Sequence, residues 1–300
     1  MTCYGPLMLS CRGKHLGPLE YGSRESWQLI NGYLLFKKNF TSAPQLRSLI
    51  SSIQNKRQQL SLPPALIAVD HEGGQVQRFV DEHFTKIPSA SVIGQLFIND
   101  PHRAQELMKY IALISATELG SCGINLLLGP VLDLRNLDLK ERTYSTSPVH
   151  IIQLASALLN ELKNHGFHAV GKHFPGLGAA LVDTHTHTAE MNISFEEMSI
   201  RHLQPFQSLI KAQLLTGVML AHGTYPLVDS SPIPASSFWI QEILRERYQF
   251  DGLIMTDCLN MLAAQPVGKN TSSRILNCMQ AGSDIVLLSH VFYTQRVACF

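Results

Sequence analysis

Eight short apolar runs, set apart by longer amphipathic stretches, constrain the fold of this chain more than any other feature. They are GPLMLS (5–10), GYLLF (32–36), ALIAVD (65–70), INLLLGP (124–130), HAVGKHF (168–174), GVMLAH (217–222), GLIMTD (252–257) and DIVLLS (284–289). Runs that are apolar throughout suit strands buried on both faces, as in a parallel sheet. The stretches between them carry helical spacing. Residues 104–119 and 149–164 repeat apolar side chains every three to four positions, and 195–211 does so behind a Ser194–Glu197 capping box. Strands alternating with helices give an α/β protein. Eight such units in 300 residues predict a (β/α)8 TIM-type barrel, a fold that typically needs about 250 residues as one domain. One domain over 1–300 is expected. Only 12 residues follow Leu288, so the last helix is expected to be short or truncated.

Asp70, Lys172, His173, His222 and Asp257 all close one of these runs. In a barrel those ends converge on one face, where active sites are built. The long polar segments 133–147 and 176–192 follow strands and should overhang the same face.

Composition excludes several classes. The formal charge is +1 and no Lys/Arg run stands out, so a nucleic-acid or polyanion partner is not expected. No stretch of about 18 apolar residues predicts a membrane span. The N-terminus lacks the basic-then-apolar pattern of a secretion signal. Six irregularly spaced cysteines without a CxxC pair fit free thiols in a reducing compartment. The expectation is a cytoplasmic protein, monomeric for want of any pattern to the contrary.

The densest chemistry lies in GKHFPGLGAALVDTHT, residues 171–186. Lys172 and His173 can donate to hydroxyls or oxyanions. Asp183 can orient His185 and raise its proton affinity, which makes a general acid or base. The bland alternative is a solvated loop in which Asp183 makes an Asx-turn. Asp257, in LIMTDCLNM, is a nucleophile, a ligand, a sugar clamp or the N-cap of a following helix. Asp70, in AVDHEGGQVQRF, has Arg78 eight residues on. An ion pair of Asp70 or Glu72 with Arg78 is the structural reading. His173, His185, His187 and His222 raise a metal site, but no HxH lies on a strand and Lys172 would repel a cation.

Taken together, IAVDHEGGQVQRF, PVLDL with ERTYS, GKHFPGLG followed by DTH, LAHGTY, and the TD of MTDCLNM resemble the β-N-acetylhexosaminidases of glycoside hydrolase family 3. The likeness is to the single-domain bacterial type that works in peptidoglycan recycling, and it runs from Gly5 to about Ser289. It implies a (β/α)8 barrel and a retaining two-step mechanism. Asp257 would be the nucleophile and His185 the acid/base, with Asp183 as its partner. Asp70, Arg78, Arg142, Lys172 and His173 would hold the terminal N-acetylglucosamine, and His222 falls in the matching strand-end motif. The implied substrate is a small carbohydrate or muropeptide with N-acetylglucosamine β-1,4-linked to an anhydro-N-acetylmuramic acid. No metal and no organic cofactor are implied. The chain departs from the pattern at Leu177 (usually His), His71 (usually Gln), Gln75 (usually Arg) and Thr256-Asp257-Cys258 (usually Ser-Asp-Asp). Cys258 beside the nucleophile could confer thiol sensitivity, although a buried Cys is usually inert. Two rival readings are a sugar-binding relative that has lost turnover and a metal-dependent barrel hydrolase. Retention of Asp257, Asp183 and His185 argues against the first, and a chelator would separate the second.

Overall fold

The computed structural model describes residues 5–17, 23–136, 139–178 and 190–289. Every one of the eight runs contains a strand: β1 Leu7–Ser10, β2 Ile30–Leu35, β3 Leu66–Val69, β4 Leu126–Val131, β5 His168–Phe174, β6 Gly217–Leu220, β7 Leu253–Thr256 and β8 Val286–Leu288. All neighbours pair in parallel, in the order β8-β1-β2-β3-β4-β5-β6-β7. A bridge between Met255 and Ile285, with Thr256 N–H donating to Ile285 C=O at 3.0 Å, joins β7 to β8 and closes the barrel.

The two-residue side-chain period of a strand explains why the runs are apolar throughout. Met8, Leu34, Ala68, Leu126, Leu128, Val170, Met219, Met255 and Leu287 point into the barrel and pack on one another. Their alternates, among them Leu9, Tyr33, Leu35, Ile67, Leu127, Val218, Ile254 and Val286, form the outer core under the helices. Neither face of a strand meets water, so polar residues such as Asn31 are few within the strands and collect toward their C-terminal ends.

The helices expected at 104–119 and 149–164 are present as Pro101–Ser121 and Pro148–Asn164. The single helix expected over 195–211 is instead two, Phe195–Ile200 and Gln204–Lys211. Ser194 caps the first as expected, its Oγ accepting from Glu197 N–H at 3.2 Å. The break comes from Pro205. It has no N–H for the carbonyl of Arg201 four residues back, where the backbone leaves the helix (φ −128°, ψ −75°), and it sits instead in the first turn of the second helix, where a missing N–H costs nothing. Between β6 and β7 the chain winds as a π-helix, Phe238–Arg247. No helix among the described residues is long and apolar enough to cross a membrane. The expected short last helix falls on 290–300, outside the described residues.

Candidate active site

The strand ends meet at one mouth, and the chain's chemistry collects there. Directly after β3, residues His71–Gly73 and Val76–Gln77 form a tight antiparallel hairpin. Gly73 (φ +95°) and Gly74 (φ +55°) take left-handed backbone that side-chain-bearing residues avoid. The hairpin folds Arg78 back onto Asp70, with Nη2 2.9 Å from Oδ2. The ion pair offered as the structural reading is therefore present, and it belongs to a larger network.

Lys172, near the end of β5, is buried, with its Nζ 2.7 Å from Asp70 Oδ1 and 2.6 Å from Glu72 Oε1. Arg142 reaches Glu72 with both arms of its fork, Nε and Nη2 each donating at 2.9 Å. The result is a chain of alternating charges, Arg78–Asp70–Lys172–Glu72–Arg142, with one cation in excess. Such pairing is what allows charges to be withdrawn from water. Burial alone would raise the pKa of Asp70, but Lys172 and Arg78 outweigh it and hold the carboxyl well below its usual range. Glu72 follows the same logic: Lys172 and Arg142 overcome burial and lower it to about 2. Lys172 is raised, its two carboxylates outweighing burial.

Glu72 entered the sequence reading only as a possible partner for Arg78, and the structure gives it a larger place. Asp133 was missed as a site residue, although it follows β4 as Asp70 follows β3. The strand-end rule would have found it. Its carboxylate accepts from His173 Nδ1 at 2.7 Å, His173 N–H at 3.2 Å and Leu177 N–H at 2.6 Å. Lys172 and His173 are adjacent in a strand, yet both serve the mouth. A register irregularity between Lys172 and Phe174 re-aims this stretch. Arg142 owes its place to Arg135, whose guanidinium donates to the carbonyls of Thr143 (3.2 Å) and Tyr144 (2.9 Å).

Asp257 begins where β7 stops. Its N–H donates to Leu220 C=O at 3.0 Å, and its Oδ1 accepts from Cys258 N–H at 2.7 Å. It caps no helix: the next helical turn, Leu262–Val267, has Met261 at its N-cap. Burial would raise its pKa. His173 and His222, followed by the Cys258 N–H and Lys172, reverse that and keep the carboxyl ionised. His222 Nε2 donates to Cys258 C=O at 3.0 Å, and burial lowers its own pKa. All seven site residues expected within the described residues thus form one constellation. Asp183 and His185 lie outside the described residues.

Three of the positions that depart from the family pattern have local explanations. His71 packs among Phe79 and Phe84, and burial followed by Arg78 lowers its pKa to about 4, so it stands neutral at pH 7. Thr256 Oγ1 accepts from Leu287 N–H at 3.1 Å and ties β7 to β8. The Cys258 thiol lies 2.9 Å from Ser289 Oγ, and burial pushes its pKa up, which disfavours the reactive thiolate. Among the described residues no group of three or more His, Cys, Asp or Glu is arranged to hold a metal ion.

The model of the glycosyl hydrolase family 3 N-terminal domain matches residues 26–298. The chain belongs to glycoside hydrolase family 3. Among its relatives in that family, a β-hexosaminidase of Nitrosomonas eutropha is 39% identical over 287 residues, covering 95% of this chain and 80% of the relative. One of Methylobacillus flagellatus is 38% identical over the same shares. Native NagZ from Neisseria gonorrhoeae, 34% identical, superposes with a TM-score of 0.86 over 96% of this chain and 82% of its own. The same protein in complex with N-trifluoroacetyl-D-glucosamine gives 0.87. The family 3 fold therefore agrees with the barrel reached from the eight runs.

Proposed function

We propose that this family 3 enzyme is a retaining β-N-acetylglucosaminidase. It would release terminal β-1,4-linked N-acetylglucosamine from anhydro-muropeptides in cytoplasmic cell-wall recycling. The observation that carries the reading is Asp257: a half-buried carboxylate at a strand end, held ionised by His173 and His222 and set beside the Asp70–Lys172–Glu72 network. The hexosaminidase relatives and the neighbour that binds an N-acylglucosamine analogue support the sugar class.

In the first step Asp257 attacks the anomeric carbon as the glycosidic C–O bond breaks, and protonated His185 gives its proton to the leaving oxygen. In the second, neutral His185 takes a proton from water, which attacks the same carbon and expels Asp257. Retaining glycosidases usually place a second carboxylic acid in the acid/base role. A histidine oriented by Asp183 supplies the same proton. Asp70, Arg78, Arg142, Lys172 and His173 would grip the sugar hydroxyls, with Arg142 and Lys172 aligned by Glu72. Among the described residues the thiols of Cys122, Cys258 and Cys278 are free and buried, which is consistent with a reducing compartment.

The test is hydrolysis of an aryl β-N-acetylglucosaminide with chelator in a parallel tube. Asp257→Ala is expected to abolish turnover and leave sugar binding largely intact. His185→Ala should slow poor leaving groups far more than activated ones. Loss of activity to chelator with recovery on zinc, or persistence of more than a few per cent in Asp257→Ala, would sink the mechanism.

A further inference from the structure

We propose that Asp133 is a positioning residue that ties the sugar-holding imidazole of His173 to the stem of the segment carrying His185. The inference rests on the acid/base reading above. Asp133 is fully buried, and its two oxygens divide their work. Oδ2 takes both donors of His173, the backbone N–H and ring Nδ1. A carboxylate only accepts, so Nδ1 must carry a proton, and the ring is held with Nε2 left for substrate. Oδ1 takes the N–H of Leu177, eight residues before His185. That turn is braced from other directions too. Tyr225 Oη donates to Gly176 C=O, and Asn136 Nδ2 donates to Leu177 C=O at 3.0 Å. Gly176 N–H donates back to His173 C=O at 2.7 Å, which closes the turn. One carboxylate just past β4 therefore sets both the ring of His173 and the backbone of the turn eight residues before His185. Leu177, which replaces the family's usual His, takes part through its backbone, so the tie does not depend on that side chain.

The division between the oxygens makes the idea testable. In Asp133→Asn the amide oxygen should settle where two donors converge, at the Oδ2 position, and keep His173 in place. The amide NH2 then faces the Leu177 N–H, donor against donor, and the stem shifts. A displacement of about 1 Å costs about 100-fold when it misplaces a reacting group. Asp133→Asn is expected to lower kcat about 100-fold on an alkyl or disaccharide glycoside, and less than about threefold on a dinitrophenyl glycoside, which needs no proton. KM should stay within about threefold for both, because the sugar grip is unchanged. Equal slowing of both substrates, or a raised KM with unchanged kcat, overturns the assignment. If Asp133→Asn does not fold, an ester link in place of the Gly176–Leu177 amide deletes the N–H that Oδ1 accepts, weakening also the Gly176 carbonyl that Tyr225 Oη meets, and the same split is expected, with Tyr225→Phe as the control for the second change. His185→Ala is run beside it. If that variant shows no leaving-group dependence, the acid/base reading fails. If it does and Asp133→Asn does not, the role of Asp133 alone is refuted.

Discussion

Replacing Lys172 with methionine should destabilise the protein in a way that depends on pH. Met keeps the length of the side chain and removes its charge. The Lys172 ammonium is all but sealed from solvent and lies within 2.7 Å of two carboxylates. Removing one member of a buried ionic group leaves its partners uncompensated, at a cost of about 3–5 kcal/mol. The pKa of Glu72 gives an independent figure. Its fall from 4.5 to about 2 corresponds to about 3 kcal/mol of stability at neutral pH. Lys172 is the leading cause of that fall. The sign follows from linkage. A carboxyl depressed in the folded state stabilises fully above its unfolded pKa, and the gain drains away as pH falls through the folded value. For Glu72 that window runs from about 5 down to about 2. Equilibrium urea unfolding of both proteins is the assay. Lys172→Met is expected to lose about 3 kcal/mol at pH 7, and the gap should narrow at pH 3 as the Glu72 share drains away while Asp70, still ionised, keeps its own. A gap of the same size at both pH values would show that lost packing, rather than charge, governs the effect. A loss below about 1 kcal/mol at pH 7 would mean that Arg78 and Arg142 suffice alone.

Two further predictions address the scaffold and the departures from the family pattern. Cys258 should resist iodoacetamide at neutral pH with activity unchanged, because its thiol is buried and its pKa raised; rapid inactivation traced to Cys258 would contradict this. Gly94→Ala should cost more than about 2 kcal/mol and depress activity, since a Cβ there falls 1.7 Å from the carbonyl oxygen of Tyr144, two residues from Arg142, where no side-chain rotation can relieve the clash. Gly13→Ala, with nothing within 4 Å of the added carbon, is the control and should be near neutral by thermal unfolding.

Much of the fold was legible because burial on two faces leaves a mark in every strand. A central strand of a closed parallel barrel has no wet side, so it must be apolar from end to end, and the eight runs stand out. The same logic exposed the site. A polar residue at the end of such a run has left the core, and Asp70, His222 and Asp257 are each found just past a strand. Helix limits were less legible where one residue overrode the pattern, as Pro205 did within 195–211.

What the sequence could not supply was pairing across distance. Glu72 and Lys172 are 100 residues apart and Asp133 and His173 are 40 apart, and nothing local says which carboxylate meets which cation. Spacing alone suggested that Arg78 takes either Asp70 or Glu72. Barrel closure decides it, bringing β5 beside β4 and placing the Lys172 ammonium between the two acids. The charge state of Asp257 was also tertiary, because it turns on His173 and His222 arriving from β5 and the end of β6. The sequence by itself determined the eight strands, the mouth where their ends meet and most of the charged residues gathered there. The tertiary structure alone decided their partners and hence their charge states, because a charge withdrawn from water is governed by whatever the fold sets within a few ångströms of it.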